Sequence, residues 1–259
     1  MTLLLTIDVG NTNTCLGLHS GSTLQADWRL TTRREQTADE YGILVRNLFS
    51  SFGVEPKDVG GVALASVVPP LTGVLVELSR QYLGREPLVI EPGVKTGMPI
   101  LYEPPGDVGA DRIVNGVAAL AAYGGPVIVV DFGTATTFDV VSRKGEYIGG
   151  VICPGIGISA DALFQRAARL PRVDVRNPGH VIGRSTVGSI QAGLYYGYAS
   201  MVEGIIGRIR AELKESARVV ATGGLAETLA REVPSIEAVD AALTLTGLRL
   251  IWERNQAAR

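Results

Sequence analysis

The sequence predicts an α/β protein built from two related halves. Short apolar runs that end at turns alternate along all 259 residues with longer stretches of helical periodicity, which is typical of mixed α/β folds. Residues 3–14 (LLLTIDVGNTNT) and 126–137 (PVIVVDFGTATT) share an apolar strand, an aspartate, a glycine and threonines. The two aspartates, Asp8 and Asp131, are 123 positions apart, close to half the chain, so a duplicated unit is expected.

Composition favours a folded protein with a large core. Apolar residues make up 46% of the chain and charged residues 19%, which is too little charge for a disordered protein. At roughly 150 residues per domain, the length corresponds to one large domain or two lobes. The formal net charge of −2 argues against a protein that binds nucleic acid through phosphate contacts. Two cysteines, Cys15 and Cys153, are too few for a disulfide framework and fit a reducing compartment.

The sequence also indicates a cytoplasmic protein that does not span a membrane. The first ten residues lack the basic region of a signal peptide, and Asp8 interrupts their apolar run. Residues 113–130 carry no charge over 18 positions, which is close to the length of a membrane span. However, Asn115 and the break at residues 124–126 (Gly-Gly-Pro) divide this stretch into a helix and a strand.

In the first half of the chain, apolar runs that stop at turns predict buried strands, and apolar residues at intervals of three and four predict helices. Gly53 ends the first helix, and Pro69 opens the second. A connection rich in proline and glycine, residues 91–105, precedes the third helix and is long enough to carry function. The expected strands are 3–9, 15–19, 24–31, 62–67 and 88–90, and the expected helices are 37–52, 69–83 and 108–123.

The second half opens with the repeated strand and turn. The expected strands are 127–130, 136–142, 146–152 and 219–221, and the expected helices are 158–168, 187–213, 225–231 and 243–253. The helix at 187–213 is unusually long and carries Gly193, Gly197, Gly204 and Gly207, which allow another backbone to approach closely. We expect this helix to pack against its counterpart in a homodimer. Packing inside the second lobe is the alternative.

Both copies of the repeat place an aspartate and a glycine where a strand enters a turn. Gly10 and its equivalent Gly133 let the backbone turn sharply and bring amide groups within reach of an anion. An aspartate at a strand end also supplies a carboxylate suited to hydrated Mg²⁺. One such turn is common, whereas two at matching positions favour a pair of phosphate-binding loops. A third turn, Gly223-Gly224 after the strand 219–221, allows a phosphate or a flat ring to approach.

Other nucleotide-binding and catalytic motifs are absent from the sequence. It has no G-x-x-x-x-G-K-[ST], and none of its four lysines lies in these loops, which excludes a P-loop kinase. No G-x-G-x-x-G follows the first strand, which disfavours a Rossmann oxidoreductase. His19 and His180 form no pair with a cysteine at metal-binding spacing, so a zinc site is not expected. No G-x-S-x-G nucleophile elbow occurs either.

The segment ahead of the third helix is the strongest candidate for binding a phosphoryl acceptor. Pro104 and Pro105 stiffen the chain, and Gly109 lets the backbone come close to a ligand. Asp111 and Arg112 then fall in the first turns of the helix. Their adjacent carboxylate and guanidinium suit a substrate that carries both a hydroxyl and a carboxylate. A simple charge pair at a helix N-terminus is the alternative.

Together these features resemble one enzyme family. The chain is similar to the type III pantothenate kinases, which belong to the superfamily of actin and the sugar kinases, in six motifs that occur in order over nearly its whole length. The motifs are DVGNTNT at 8–14, Tyr102 with GADR at 109–112, DFGTATTFDVV at 131–141, GGVICPGIGIS at 149–159, GRSTVGSIQAG at 183–193 and ATGGLAE at 221–227. The resemblance implies two related actin-like (ribonuclease H-like) lobes with an ATP cleft between them.

The expected lobes divide the motifs between them. Residues 1–114 form the N-terminal lobe with the first phosphate loop. Residues 115–259 form the C-terminal lobe with the second phosphate loop and the Gly-Gly nucleotide loop.

The resemblance implies ATP-dependent phosphorylation of pantothenate to 4′-phosphopantothenate, the first step of coenzyme A biosynthesis. It makes Asp111 the proton acceptor from the pantothenate hydroxyl. The substrate-binding residues that it implies are Tyr102, Gly109, Ala110, Asp111, Arg112 and Thr186. The ATP-binding residues that it implies are Asp8, Val9, Gly10, Asn11, Thr12, Asn13, Thr14, Cys15 and Thr134.

The same resemblance implies two kinds of cation and a partner. Asp131 would hold a monovalent cation, K⁺ or NH₄⁺, and Asp8 would lie near Mg²⁺. Family members are homodimers, with the cation and substrate sites close to the subunit interface.

Two other functions stay open on the sequence. One is a non-catalytic regulator of the same fold, for example a transcriptional accessory protein with degenerate sites. The presence of Asp8, Asp111, Asp131 and Thr134 favours the enzyme, because a scaffold has no need of all four. The other is a kinase that acts on a different small molecule, such as a sugar or acetate. The segment from Tyr102 to Arg112 argues against it through the resemblance alone.

Overall fold

Ten strands form two five-stranded mixed sheets in the computed structural model, which describes residues 2–257. The strands are β1 (Leu3–Val9), β2 (Asn13–Ser20), β3 (Thr23–Thr31), β4 (Val59–Ser66), β5 (Leu88–Val89), β6 (Val127–Phe132), β7 (Ala135–Val141), β8 (Tyr147–Pro154), β9 (Arg218–Thr222) and β10 (Ala238–Val239). The helices are α1 (Ala38–Ser51), α2 (Pro69–Leu83), α3 (Ala110–Tyr123), α4 (Ile156–Arg166), α5 (Thr186–Leu213), α6 (Ala226–Ala230) and α7 (Leu243–Gln256).

The first sheet has the strand order β3-β2-β1-β4-β5. Its first three strands are antiparallel neighbours, and β4 and β5 continue the sheet in parallel with β1. The buried side chains Leu5, Ile7 and Val9 of β1 point to the same face, where they share a core with residues of α1 and α2. The residues between them in β1, including Asp8, therefore point to the opposite face.

The second sheet repeats this arrangement with the order β8-β7-β6-β9-β10. Strands β6, β7 and β8 are antiparallel neighbours, and β9 and β10 are parallel to β6. Ile128, Val130 and Phe132 of β6 face a core that includes α5, so Asp131 points to the other face. The duplication predicted from the repeat is confirmed, because each strand of the first half has a counterpart at the same place in the second sheet.

The chain divides into two compact units, one of Met1–Ala118 with Leu243–Arg259 and the other of Ala119–Ala242. The division inside α3 lies four residues beyond the expected boundary, and the C-terminal segment belongs to the first unit, although the second lobe was expected to run to residue 259. Helix α7 packs on the first sheet because Gly17 and Gly61 leave space for it. A Cβ on Gly17 would lie 3.0 Å from Leu245 Cδ1, and one on Gly61 would collide with the Trp252 ring.

Most element boundaries agree with the sequence pattern to within three residues. Thr37 caps α1, where its hydroxyl accepts from the Glu40 amide and the Glu40 carboxylate accepts from the Thr37 amide. Strand β10 was not expected, since two residues are too few to show a period. No helix in the part of the chain that the structure describes has the length and apolar character needed to cross a bilayer.

Candidate active site

The first phosphate loop is a tight turn between β1 and β2. The Gly10 amide donates to the Asn13 carbonyl at 2.9 Å, so the chain reverses within four residues. Residues Asn11, Thr12 and Asn13 are exposed at the tip. Amides and side-chain amides are thus presented to solvent at the end of a strand, which is the arrangement expected of an anion-binding loop.

Thr32, which the sequence reasoning missed, fixes the shape of this loop. Its hydroxyl donates to the Gly10 carbonyl at 2.8 Å and lies 2.9 Å from the hydroxyl of buried Thr14. Its amide donates to the Thr12 carbonyl at 2.9 Å. The Thr31-Thr32 pair at the end of the third predicted strand was the available signal, but only the strand pairing shows that Thr32 faces the loop.

Asp8 lies near the end of β1 and is the first of three residues at paired positions on neighbouring strands of the first sheet. In the strand register Asp8 is paired with Cys15 on β2, and Cys15 is paired with Arg29 on β3. Burial, followed by the charge of Asp8, raises the pKa of the Cys15 thiol, although Arg29 opposes the change. Cys15 is therefore a neutral thiol beside the Asp8 carboxylate, and it is not a thiolate ligand.

The acceptor segment ends where α3 begins. The Gly109 carbonyl accepts from the Ile113 amide at 3.2 Å, which makes Gly109 the residue that caps the helix. The Asp111 carboxylate turns back onto the helix N-terminus, where Oδ1 accepts from the Arg112 amide at 2.8 Å. A Cβ on Gly109 would lie 2.5 Å from the same Oδ1. Gly109 therefore makes room for Asp111. From the sequence, its expected role was to let the backbone come close to a ligand.

The environment of Asp111 favours its protonated form. Burial raises the pKa of this carboxyl group, while the Arg112 amide and the Arg112 guanidinium partly oppose the rise. Arg112 itself is buried, with only 8% of its surface exposed. Tyr102 is half-buried in the connection before α3. A carboxyl group with a raised pKa is a stronger base when ionised, which suits proton abstraction from an alcohol.

Asp111 and the first phosphate loop lie at the same edge of the first sheet. Val67 directly follows β4, and its amide donates to the carbonyl of Val9 at the end of β1, at 3.0 Å. A Cβ on Gly109 would lie 3.6 Å from Val67 Cγ1. The start of α3 is therefore next to the carboxyl ends of β1 and β4, where the loop that follows Asp8 also begins.

In the second unit, Asp131 occupies the position of Asp8. A Cβ on Gly223, which has φ +93°, would collide with the Asp131 carboxylate, so the first glycine of the Gly-Gly turn fits against this side chain. In the strand register Asp131 is paired with Thr137 on β7 and with Thr222 on β9. Paired residues of neighbouring strands point to the same face, so two threonines flank the carboxylate.

Two further residues near Asp131 were not singled out from the sequence. The Gly155 amide donates to the Thr134 carbonyl at 3.1 Å, and a Cβ on Gly155 would collide with that carbonyl. Gly155 thus holds the second loop, which contains Thr134. Asp139 is fully buried two residues beyond Thr137, and its carboxylate accepts from the Tyr147 hydroxyl at 2.8 Å and the Thr137 hydroxyl at 3.1 Å.

Thr186 is the first residue of α5 and is exposed beside an open groove of about 740 Å³. Ser185 caps the helix by accepting from the Gly188 amide at 3.1 Å. The groove has apolar walls that include Leu163 on α4 and Ile190 on α5.

The oxygen donors at Asp8 and Asp131 fit the cations that the resemblance implies. Mg²⁺ usually takes one or two protein carboxylates and completes its shell with water and phosphate oxygens, and the half-buried carboxylate of Asp8 at a strand end can supply one. Around Asp131 the neighbouring side chains on β7 and β9 are neutral hydroxyls. Among residues 2–257 there is no group of three or more His, Cys, Asp or Glu residues that could hold a metal ion by themselves.

Comparisons with solved structures agree with the duplicated fold. One neighbour, described as a conserved putative Baf family transcriptional activator from Campylobacter jejuni, has a TM-score of 0.62 at 20% identity and covers 98% of this chain and 99% of its own. The activator of 2-hydroxyisocaproyl-CoA dehydratase from Clostridium difficile, solved with bound ADPNP, has a TM-score of 0.60 at 12% identity and covers 99% and 97%. At such identities the likeness shows the fold alone, which is that of the actin-like ATPases and sugar kinases.

Sequence relatives are much closer. Proteins named type III pantothenate kinase are 58% identical over 253 residues in Moorella thermoacetica, covering 98% of this chain and 100% of that protein, and 58% identical over 256 residues in Myxococcus xanthus, covering 99% and 100%. The sequence model of the type III pantothenate kinase family matches residues 4–208. From these matches, and from the repeated motifs at Asp8 and Asp131 that the structure places in two equivalent sheets, the chain belongs to the type III pantothenate kinase family.

Proposed function

We propose that the protein transfers the γ-phosphoryl group of ATP to the primary hydroxyl of pantothenate, which yields 4′-phosphopantothenate and begins the synthesis of coenzyme A. Family membership supports this reaction. The structural observation that best supports the reaction is the position of Asp111, whose carboxylate lies at the same sheet edge as the first phosphate loop. Residues at one edge of the first sheet can therefore bind both the acceptor hydroxyl and a phosphate.

Asp111 is the proton acceptor in this proposal. Phosphoryl transfer has a loose transition state, so the base is needed late, to take the proton as the new O–P bond forms. Asp111 is held by the Arg112 amide at 2.8 Å and by contact with Gly109, which keeps its carboxylate in one orientation. The pKa raised by burial makes the ionised form a better proton acceptor than an exposed carboxylate.

Pantothenate is held by the residues around Asp111. Arg112 can pair with the pantothenate carboxylate, since a guanidinium binds a carboxylate through two parallel hydrogen bonds. Gly109 and Ala110 present backbone at the start of α3, and Tyr102 adds a ring and a hydroxyl from the preceding connection. Thr186 also contacts pantothenate, from the exposed first turn of α5.

ATP phosphates are bound by the loop from Asp8 to Cys15 and by Thr134. The chain has no P-loop lysine, so the loop amides and bound cations must offset the phosphate charge. Asp8 would hold Mg²⁺, which when bound neutralises charge on the phosphoryl oxygens. The exposed amides of Asn11 and Thr12, kept in shape by Thr32, supply hydrogen bonds to the same anion.

Asp131 holds a monovalent cation, K⁺ or NH₄⁺, in the second unit. Its carboxylate is seated against Gly223 and has neutral hydroxyl residues on both neighbouring strands. The equivalent positions around Asp8 carry Cys15 on β2 and Ala65 on β4, with Arg29 one strand further. This difference supports placing the monovalent cation at Asp131 instead of Asp8.

The active form is a homodimer in the cytoplasm. Eight of the twelve large hydrophobic side chains that are exposed among the described residues fall within residues 148–187 of the second unit, and Ile182 is 83% exposed. Gly193, Gly197, Gly204 and Gly207 of α5 face open space, so a second helix can approach their backbone. Both cysteines are free, which fits a reducing compartment.

One experiment tests the reaction. Purified protein is incubated with ATP, Mg²⁺, K⁺ and pantothenate, and 4′-phosphopantothenate is measured by mass spectrometry. The same assay is repeated with Na⁺ in place of K⁺, and with a sugar or acetate in place of pantothenate. We expect product from pantothenate alone and a clear loss of rate in Na⁺. Binding of ATP without any product would favour the regulator over the enzyme.

A further inference from the structure

Helix α7 lies outside the matched family region, residues 4–208, yet it contacts the chain on both sides of the acceptor segment. It comes from the far end of the chain and packs on the face of the first sheet that carries Asp8. Gly17 on β2 and Gly61 on β4 leave space for Leu245 and Trp252 of this helix. The helix is thus seated directly on the strands that carry the first phosphate loop.

A buried polar pair lies beneath the same helix. The Thr6 hydroxyl donates to the Gly17 carbonyl at 3.1 Å, so at 3.2 Å it must accept from Nε2 of His19. Burial, followed by the charge of Arg249 on α7, lowers the pKa of His19 to about 4. The imidazole is therefore neutral at neutral pH.

The first half of α7 contacts α3 one turn beyond Asp111. The Thr244 hydroxyl donates to Oδ1 of Asn115 at 2.7 Å, and Asn115 is 1% exposed. A Cβ on Gly247 would collide with the Val114 carbonyl, so the two helices approach at backbone distance. Val114 and Asn115 follow Asp111 by three and four residues and lie on its side of α3. The position of α7 therefore sets the position of the start of α3.

The last turn of α7 holds the connection that carries Tyr102. Asn255 Nδ2 donates to the Lys95 carbonyl at 3.1 Å, and Arg254 donates to the Thr96 carbonyl. Gly97, with φ +75°, lies under the Arg254 guanidinium, where a Cβ would collide. These contacts fix the chain five to seven residues before Tyr102. Helix α7 therefore contacts the connection that carries Tyr102 and the helix that carries Asp111.

We propose that α7 braces the acceptor site, with Thr244, Gly247 and Arg254 as positioning residues for pantothenate. None of the three is among the residues proposed to contact substrate. They act by holding α3 and the 91–105 connection at a fixed spacing on the first sheet. The inference rests on the proposed roles of Asp111 and Tyr102, and it predicts that loss of the α7 contacts with α3 or with the 91–105 connection weakens the use of pantothenate and leaves the use of ATP unchanged.

The test compares Thr244→Val with Thr246→Val. The second threonine is on the same helix, and its hydroxyl makes no hydrogen bond to residues 2–257. Losing one hydrogen bond to a buried partner should raise the KM for pantothenate roughly fivefold in Thr244→Val, while its KM for ATP stays unchanged. Thr246→Val should keep the wild-type KM for both substrates. Thr244→Ser restores the donor and should restore the KM. If Thr244→Val keeps the wild-type KM for pantothenate, the proposal that α7 positions the acceptor site is wrong.

A second variant covers the case in which Thr244→Val fails to fold. Arg254 is exposed at the end of α7, and Arg254→Ala removes its contact with Thr96 without disturbing the seat of the helix. Gln256→Ala is the matched control. We expect faster hydrogen exchange in residues 93–104 and a higher KM for pantothenate in Arg254→Ala alone. Exchange that matches the wild type would contradict the proposal. Because hydrogen exchange needs no turnover, this result stands apart from the test of pantothenate phosphorylation.

Discussion

Glycines beside Asp111 and Asp131 make room for the two carboxylates on which the proposed reaction depends. Gly109 has Asp111 Oδ1 where a Cβ would point, and Gly223 has the Asp131 carboxylate there. From the sequence, both glycines were interpreted as points where backbone approaches a ligand. The structure gives them a different role, because each glycine orients an aspartate of its own unit. Sequence position could not show this, since the contacts depend on side-chain direction.

Asp111 should make the folded protein less stable as pH rises. Burial raises its pKa in the folded state above that in the unfolded chain, so the folded state binds the proton more tightly. The stability that it contributes is present at low pH and is lost as pH rises through the folded pKa. Asp111→Asn removes the ionisation, so we expect it to unfold at a higher urea concentration than the wild type at about pH 8 and to converge with it towards about pH 4. A difference in the urea concentration of unfolding that stays constant between these pH values would contradict the prediction.

At the scale of elements, the sequence predicted the strands and helices well where they are long. Helix α5 was expected to begin at residue 187 and begins at Thr186, where Ser185 supplies the cap. Strand β10 was missed because Ala238 and Val239 form a strand only through pairing with β9. Thr32 was missed for a similar reason, since its role depends on the folding of β3 next to the first loop.

The first phosphate loop should lose affinity for ATP when Thr32 is changed. Thr32→Val removes the donor to the Gly10 carbonyl at 2.8 Å and the contact with the Thr14 hydroxyl at 2.9 Å. Because the loop amides then lose their fixed direction, we expect the KM for ATP to rise roughly five- to tenfold, with the KM for pantothenate unchanged. Thr31→Val, at the exposed neighbouring residue, is the control. Equal effects of the two substitutions would contradict the assignment of Thr32 to this loop.

At the scale of the whole molecule, the internal repeat was the main basis for predicting the architecture. It indicated the duplication and the equivalence of Asp8 with Asp131, whereas the matching strand order of the two sheets is seen only in the structure. The repeat could not place α7, which follows the second unit in sequence and packs with the first. That placement comes from Gly17, Gly61 and Gly247, whose missing side chains matter only once the strands and helices meet.

The exposed apolar surface of the second unit should be covered by a second copy of the chain. Light scattering at micromolar concentration should give a mass near twice 27.3 kDa. Ile182→Asp places a charge at an 83% exposed apolar residue of this surface and should shift the mass towards one chain. Ile43→Asp, at a 58% exposed residue of the first unit, should leave the mass unchanged. A wild-type protein with the mass of one chain would refute the homodimer.

The most direct measurement is the rate of 4′-phosphopantothenate formation by Asp111→Asn, compared with Asp107→Asn and the wild type. Asp107 is an exposed carboxylate four residues earlier, in the turn before α3. We expect Asp111→Asn to lower kcat about 10²- to 10⁴-fold while ATP binding, measured by calorimetry, stays near the wild-type value. Asp107→Asn should keep the wild-type rate. Turnover by Asp111→Asn close to that of the wild type would contradict the assignment of Asp111 as the proton acceptor.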